Sequence, residues 1–207
     1  MDKKKRNGDL YTFLYAAIMV TITAALLAFV SQILKPRQEA NKQVEMQQSI
    51  LRAVHLADRS YEQYIKDTVV GVQRLPLYIC TLDDGSRKFI IPLSGKGLWG
   101  PLWGYLALDD NGQTIYGVDF DHEAETPGLG AEVSRAEFSA PFSGKSLYRD
   151  STFVSISVLQ PGKGGARTIN QVDGISGGTI TSRGIENMIR ETIELYIKEA
   201  YEQTHLP

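Results

Sequence analysis

The chain has 207 residues, with 22 Lys+Arg against 24 Asp+Glu and a formal net charge of −2. That balance argues against a nucleic-acid binder, and 43% hydrophobic residues suffice for a core and exclude wholesale disorder. A single cysteine, Cys80, excludes an intramolecular disulfide and any CxxC motif; within Leu77-Tyr78-Ile79-Cys80 it reads as a small buried hydrophobe rather than a reactive thiol.

Leu10 to Leu34 carries no charge, a run of about 25 positions and long enough to cross a bilayer. Lys3, Lys4, Lys5 and Arg6 precede it, and Lys35 and Arg37 follow. The heavier cluster predicts a cytoplasmic start with the remainder outside, and Tyr11, Phe13 and Tyr15 suit an interfacial aromatic belt. A cleaved signal peptide has a shorter apolar core of about 7–15 residues and an A-x-A site, so an uncleaved single-pass anchor is expected. The expected organisation is residues 1–9 cytoplasmic, 10–34 transmembrane, 35–64 a juxtamembrane helix or linker, and 65–207 an extracytoplasmic domain. Val44, Ile50, Leu51, Val54 and Leu56 give the juxtamembrane segment a partial apolar stripe.

Beyond it the apolar period shortens to two. Leu77–Leu82 and Lys88–Leu93 flank Asp83-Asp84-Gly85-Ser86, and Leu102–Leu108 and Thr114–Phe120 flank Asp109-Asp110-Asn111-Gly112. Both read as hairpins, the second with the strong Asn-Gly turn. Phe153–Val158 alternates like another strand. Ser134-Arg135-Ala136-Glu137 has capping-box spacing and predicts a short helix ending around Pro141. A final helix is expected from Arg183 to about Tyr201, burying Ile185, Met188, Ile189, Ile193, Tyr196 and Ala200. The fold class is therefore α+β: a largely antiparallel sheet with a few packed helices behind the anchor.

The densest cluster of glycines and hydroxyls is Asp173-Gly174-Ile175-Ser176-Gly177-Gly178-Thr179-Ile180-Thr181-Ser182, just ahead of that helix. Glycines let the backbone approach a ligand, and a helix start favours a phosphate. The plainer alternative is a turn with Thr181 or Ser182 as N-cap. Gly174–Gly178 formally matches G-x-S-x-G, but the only acids after Ser176 are glutamates in or beside the terminal helix, the only histidine is His205 near the C-terminus, and strands do not alternate with helices, which excludes that hydrolase. Asp119, Asp121, His122, Glu123 and Glu125 suggest a hard-metal site only superficially; most are expected to be exposed strand-end charges, and no metal is expected. Thr126-Pro127-Gly128-Leu129-Gly130 is an irregular loop able to lie flat on a ligand, or only a structural turn. Ser94–Pro101 offers Trp99 for stacking, or a loop pinned by one buried tryptophan. Gln160–Arg167 is glycine-rich with two cations, Lys163 and Arg167, able to meet a phosphate, or an exposed linker.

In this order, Gly97-Leu98-Trp99, Glu125-Thr126-Pro127-Gly128-Leu129-Gly130, Lys163-Gly164-Gly165-Ala166 and Asp173–Ser182, behind one N-terminal anchor, resemble the C subunit of the Na⁺-translocating NADH:quinone oxidoreductases. The resemblance covers essentially the whole chain. Its most specific part is the flavinylation motif Asp-Gly-x-Ser-Gly-Ala-Thr, from which the chain departs by Gly178 in place of alanine. The resemblance implies FMN joined by a phosphoester to Thr179, made by a separate flavin transferase outside the cytoplasm. From an ester at that position a flavin site is expected around Asp173, Gly174, Ser176, Gly177, Gly178, Thr181, Ser182, Glu125, Thr126, Gly128, Leu129, Gly130, Lys163, Leu98 and Trp99. The flavin ring is expected against the Thr126–Gly130 and Leu98-Trp99 loops, with no protein acid or base required. The implied role is electron relay beside other membrane subunits, in a bacterial inner-membrane complex that oxidises NADH, reduces quinone and exports Na⁺. The related G subunit of the Rnf ferredoxin:NAD⁺ oxidoreductase is the alternative within this resemblance. An anchored ligand-binding sensor domain is the alternative from another class.

Overall fold

The computed structural model describes residues 3–162 and 167–205. The chain divides into two compact units, Met1–Met46 and Gln47–Pro207. Helix α1, Lys3–Ala53, starts in the first and ends in the second, and continues through Pro36 without a break. Its apolar stretch is long and apolar enough to cross a membrane, with none of its most apolar window buried. In water such a surface would be strongly unfavourable, and in lipid it is the ordinary state of a spanning helix.

The last turns of α1, with the turn that follows it at Val54, belong to the second unit because their apolar stripe is used there. Ile50, Leu51, Ala53 and Val54 are buried, while Val44, on the other side of the unit boundary, is exposed. Ser49 and Arg52 both donate to Asp119; the Arg52 Nε and Nη2 bonds are each 3.0 Å. A one-turn helix α2, Tyr61–Tyr64, leads into the sheet.

Five antiparallel strands follow in chain order: β1 Ile65–Val70, β2 Leu75–Thr81, β3 Arg87–Lys96, β4 Pro101–Leu108 and β5 Ile115–His122. Both expected hairpins are present. Tyr78 pairs with Ile90 across the Asp-Gly turn, and Leu106 pairs with Val118 across the Asn-Gly turn. Cys80 is buried in β2, and burial raises its thiol pKa to about 11 against the opposing pull of Lys88. After β5 come a 3₁₀ turn, Gly130–Ser134, a short helix α3, Ala136–Ser139, and a second 3₁₀ turn, Ala140–Phe142. Phe138 and Phe142 from this segment pack edge-on or tilted against Phe120 of β5.

Strands β6 Tyr148–Arg149 and β7 Thr152–Phe153 form a small hairpin, and β8 Ser157–Leu159 pairs in parallel with β9 Gln171–Asp173. Helix α4, Thr179–His205, then packs on the sheet through Ile185, Met188, Ile189, Ile193 and Tyr196. The antiparallel sheet with a few packed helices is the α+β class expected from the pattern.

Three local expectations need correction. The alternating run Phe153–Val158 is not one strand, because Ser155, buried with φ +61°, breaks it between β7 and β8. Ser134 does not cap α3; Arg135 holds the N-cap position without a side-chain bond, and the Ser134 hydroxyl donates to the Ala131 carbonyl instead. Ala200 is exposed, and Glu199 is fully buried in its stead, accepting the Gln73 N–H and side-chain amide.

Candidate functional site at the start of the last helix

The site grows from the way α4 begins. Gly178 donates its N–H to the Ile175 carbonyl, closing a turn, and its own carbonyl accepts the Ser182 N–H, opening the helix. Gly177 supplies the left-handed φ of +77° that this turn requires, a conformation a side chain resists. The helix therefore starts at Thr179 rather than Arg183, and Thr181 and Ser182 sit inside its first turn rather than capping it. The Ser182 hydroxyl instead accepts the Ile175 N–H at 2.9 Å, stitching the loop back onto the helix. The Thr181 hydroxyl donates to Glu125 at 2.6 Å. Of the first-turn hydroxyls only that of Thr179 has no hydrogen bond among the described residues, and this residue is half-buried.

The first N–H groups of any helix lack intrahelical acceptors and carry its positive dipole end. Here no acidic side chain occupies the first turn. Thr179 lines a cavity of about 350 Å³ with Gln160, Pro161, Gly174, Ile175, Arg183 and Asn187. The β8–β9 pair sets the far wall, with the Gly174 N–H donating to the Leu159 carbonyl at 2.7 Å. Asp173 is engaged elsewhere. It binds Arg167, whose guanidinium also donates to the Gln160 carbonyl, so the pair ties the two ends of the 160–173 connection. Lys163, with Gly164, Gly165 and Ala166, lies outside the described residues. Ser176 and Gly177 are exposed.

Glu125 joins the other two loops to this helix start. It is buried, contrary to the expectation that most charges of its segment would be solvated; Asp119 is likewise held, by Ser49 and Arg52. One Glu125 oxygen accepts the Trp99 N–H at 2.9 Å and the other accepts the Thr181 hydroxyl. Burial opposes its charge, but the hydrogen bonds from Thr181, Trp99 and Leu98 outweigh it and hold its pKa below the ordinary carboxylate value. Gly130 is required beside it, since a Cβ there would meet the Thr181 hydroxyl at 2.6 Å. The Thr126 carbonyl accepts the Leu129 and Ala131 N–H groups, and Gly128 donates to Glu132 at 3.1 Å, so the loop is shaped by its own bonds.

Leu98, Trp99, Leu129 and Ile180 are left exposed by this bracing, Trp99 at 67%. Trp99 is thus an outward-facing ring, not the buried pin of its loop. Three stretches far apart in sequence meet at one helix end, with an unengaged hydroxyl, free N–H groups and a rim of apolar side chains. Sequence reasoning missed Arg183 as a wall of the cavity, because a helix start placed there makes it look like a first residue.

Comparison with known proteins places these residues in context. The FMN-binding domain family matches over residues 97–194, which takes in the Trp99 loop, Glu125–Gly130 and the start of α4. The C subunit of a Na(+)-translocating NADH-quinone reductase from Vibrio anguillarum is 37% identical over 133 residues, 63% of this chain and 49% of the relative. The corresponding C subunit from Pseudomonas aeruginosa is 35% identical over 115 residues, 55% and 44% respectively. The match thus spans about half the length of these curated relatives. The crystal structure of such a C subunit from Parabacteroides distasonis superposes with a TM-score of 0.74 at 37% identity, covering 81% of this chain and 96% of that one. A crystal structure of Shewanella oneidensis NqrC shares the fold at TM-score 0.68 and 20% identity, covering 78% of this chain and 99% of that one.

Proposed function

The chain belongs to the family of C subunits of Na(+)-translocating NADH-quinone reductase, and we propose that it carries FMN on Thr179 and relays electrons within such a complex. The observation that carries this reading is the contrast among the first-turn hydroxyls. Thr181 and Ser182 are committed to Glu125 and Ile175, while the Thr179 hydroxyl has no hydrogen bond among the described residues and Thr179 lines a cavity.

The residues present fit the group. A phosphoester on the Thr179 oxygen would put an anion beside N–H groups that have no intrahelical acceptor and no competing acidic side chain in the first turn. The Thr126–Gly130 loop and the Leu98-Trp99 pair offer the exposed apolar surface that a planar ring stacks on. Glu125 holds both loops against the helix, so the surface for the ring and the point of attachment keep a fixed relation. Bound FMN supplies the electron transfer itself; the protein supplies position and charge. A covalent tether keeps the local flavin concentration high even when the open site binds it modestly.

The remainder of the proposal follows the family. A separate flavin transferase makes the ester on the extracytoplasmic side, moving the FMN phosphoryl group from a phosphoanhydride-linked flavin donor to the Thr179 oxygen; the anhydride P–O bond breaks, the other phosphate half leaves, and the hydroxyl proton is lost. The apolar stretch of α1 anchors the chain once in a bacterial inner membrane, with its N-terminus cytoplasmic. Other membrane subunits oxidise NADH, reduce quinone and move Na⁺, and this chain carries the flavin between them. The names of the relatives favour this complex over the Rnf one.

The test is mass spectrometry of the full chain after co-expression with a flavin transferase. The peptide holding Thr179 is expected to gain the mass of FMN less one water, and the band to fluoresce on a denaturing gel. Thr179→Ala is expected to be colourless. A wild-type chain that stays colourless under these conditions overturns the proposal and leaves the reversible sensor reading.

A further inference from the structure

We propose that Arg183 is the charge partner of the flavin phosphate at Thr179, so that the site selects phosphorylated flavin over riboflavin before any ester forms. The inference rests on the Thr179 reading and adds a residue to it. Thr179 and Arg183 stand one helical turn apart on α4, a spacing that puts two side chains on the same face, and both line the same cavity.

The surrounding charges leave Arg183 available for an anion. It is exposed and makes no ion pair among the described residues. The acid on the cavity wall, Glu186, directs Oε2 to the Val158 N–H at 2.8 Å, and Asp173 at the foot of the loop is held by Arg167. No acid occupies the first turn of the helix. A guanidinium suits this place because its planar fork can give two parallel bonds to a phosphate, whereas a lysine offers a point charge. The helix end alone would favour an anion; Arg183 adds a full charge to the cavity that Thr179 also lines.

The experiment compares FMN with riboflavin on the full-length chain made without flavin transferase, by quenching of flavin fluorescence. Wild type is expected to bind FMN at least about tenfold more tightly, the size of one charge-assisted contact. Arg183→Gln is expected to remove about tenfold from FMN affinity and leave riboflavin unchanged, while Arg183→Lys keeps part of the preference. Raising salt should shrink the wild-type preference, because the partner is exposed. A wild type without preference, a preference untouched by Arg183→Gln, or an equal loss for both flavins overturns the proposal. Thr179→Ala separates the two claims: it should abolish covalent loading yet keep the preference for free FMN, since the guanidinium does not need the hydroxyl. Failure of the ester with the preference intact therefore counts against Thr179 alone.

Discussion

The carboxylate of Glu125 accepts the hydroxyl of Thr181 at 2.6 Å, joining a loop after β5 to the first turn of α4 across 56 positions of sequence. The bond is buried and its acceptor is charged, the setting in which a hydrogen bond contributes most. Replacing Thr181 by valine keeps the shape and deletes the donor. It is expected to destabilise the domain by about 1.5–3 kcal/mol, measured by urea unfolding of the detergent-solubilised chain. Thr179→Val, which removes a hydroxyl with no hydrogen-bond partner among the described residues, should stay within about 0.5 kcal/mol of wild type.

Acid should weaken the same junction. The folded pKa of Glu125 lies below its ordinary value of 4.5, so the folded state favours the ionised form more than the unfolded chain does. Its contribution is complete above 4.5 and is lost as pH falls from there through the lower folded pKa. The gap in melting temperature between wild type and Glu125→Gln should be constant above about pH 6 and narrow below 4.5. A gap that is unchanged into the acid range would show that the charge of Glu125 adds nothing.

Why some of this is legible in the sequence and some is not follows from range. The two hairpins are readable because Asp84-Gly85 and Asn111-Gly112 are local turn chemistry between alternating runs. The helix face is readable through Ile193 and Tyr196, and fails at Ala200, where burial passes to Glu199 through its bonds to Gln73. The start of α4 is hidden because Thr181 and Ser182 look like caps. Only the Gly177 turn and the distant acceptor Glu125 show why they sit inside the helix. The flavin motif points to Thr179, but nothing local to it reveals that Glu125 is buried beneath Trp99 and Thr181. The short parallel pair of β8 and β9 has no sequence period at all.

The neighbouring glycines of the motif should respond differently to alanine. Gly177 has φ +77°, and a Cβ there would stand 2.6 Å from Leu129 Cδ2, the tip of an exposed side chain that can turn aside, so alanine brings chiefly backbone strain. Gly178 has no such φ; its Cβ would lie 3.0 Å from Ile175 Cβ and Cγ2, which have to give by a few tenths of an ångström. Gly178→Ala, which brings in the alanine of the flavinylation motif that this stretch resembles, is expected to cost no more than about 1 kcal/mol and to retain the proposed loading of Thr179. Gly177→Ala should cost more, about 1–3 kcal/mol, and reduce loading. Equal losses for the two would contradict the turn assigned to Gly177.

The buried thiol offers a probe of the sheet. Cys80 is enclosed in β2 and its pKa is raised to about 11 by burial, so both access and thiolate are lacking near neutrality. It is expected to react with a thiol reagent at about pH 8 only after unfolding, with a rate that follows urea concentration through the transition. Rapid labelling of the folded chain would place the β1–β2 edge open to solvent.

The last turns of α1 are expected to decide where a soluble fragment can begin. Ile50, Leu51 and Val54 are buried in the second unit, and each such side chain stabilises by about 1.5–3 kcal/mol on burial. Their sum is comparable with the whole stability of an ordinary domain, about 5–15 kcal/mol. Removing them would also strip Asp119 of Ser49 and Arg52, leaving a half-buried carboxylate without its donors. A fragment starting at Gln47 should therefore melt cooperatively. One starting at Ile65 should bind a hydrophobic dye and lose its near-UV dichroism while keeping much of its far-UV signal. Cooperative melting of the shorter fragment at the temperature of the longer one would mean that these turns only rest on the sheet.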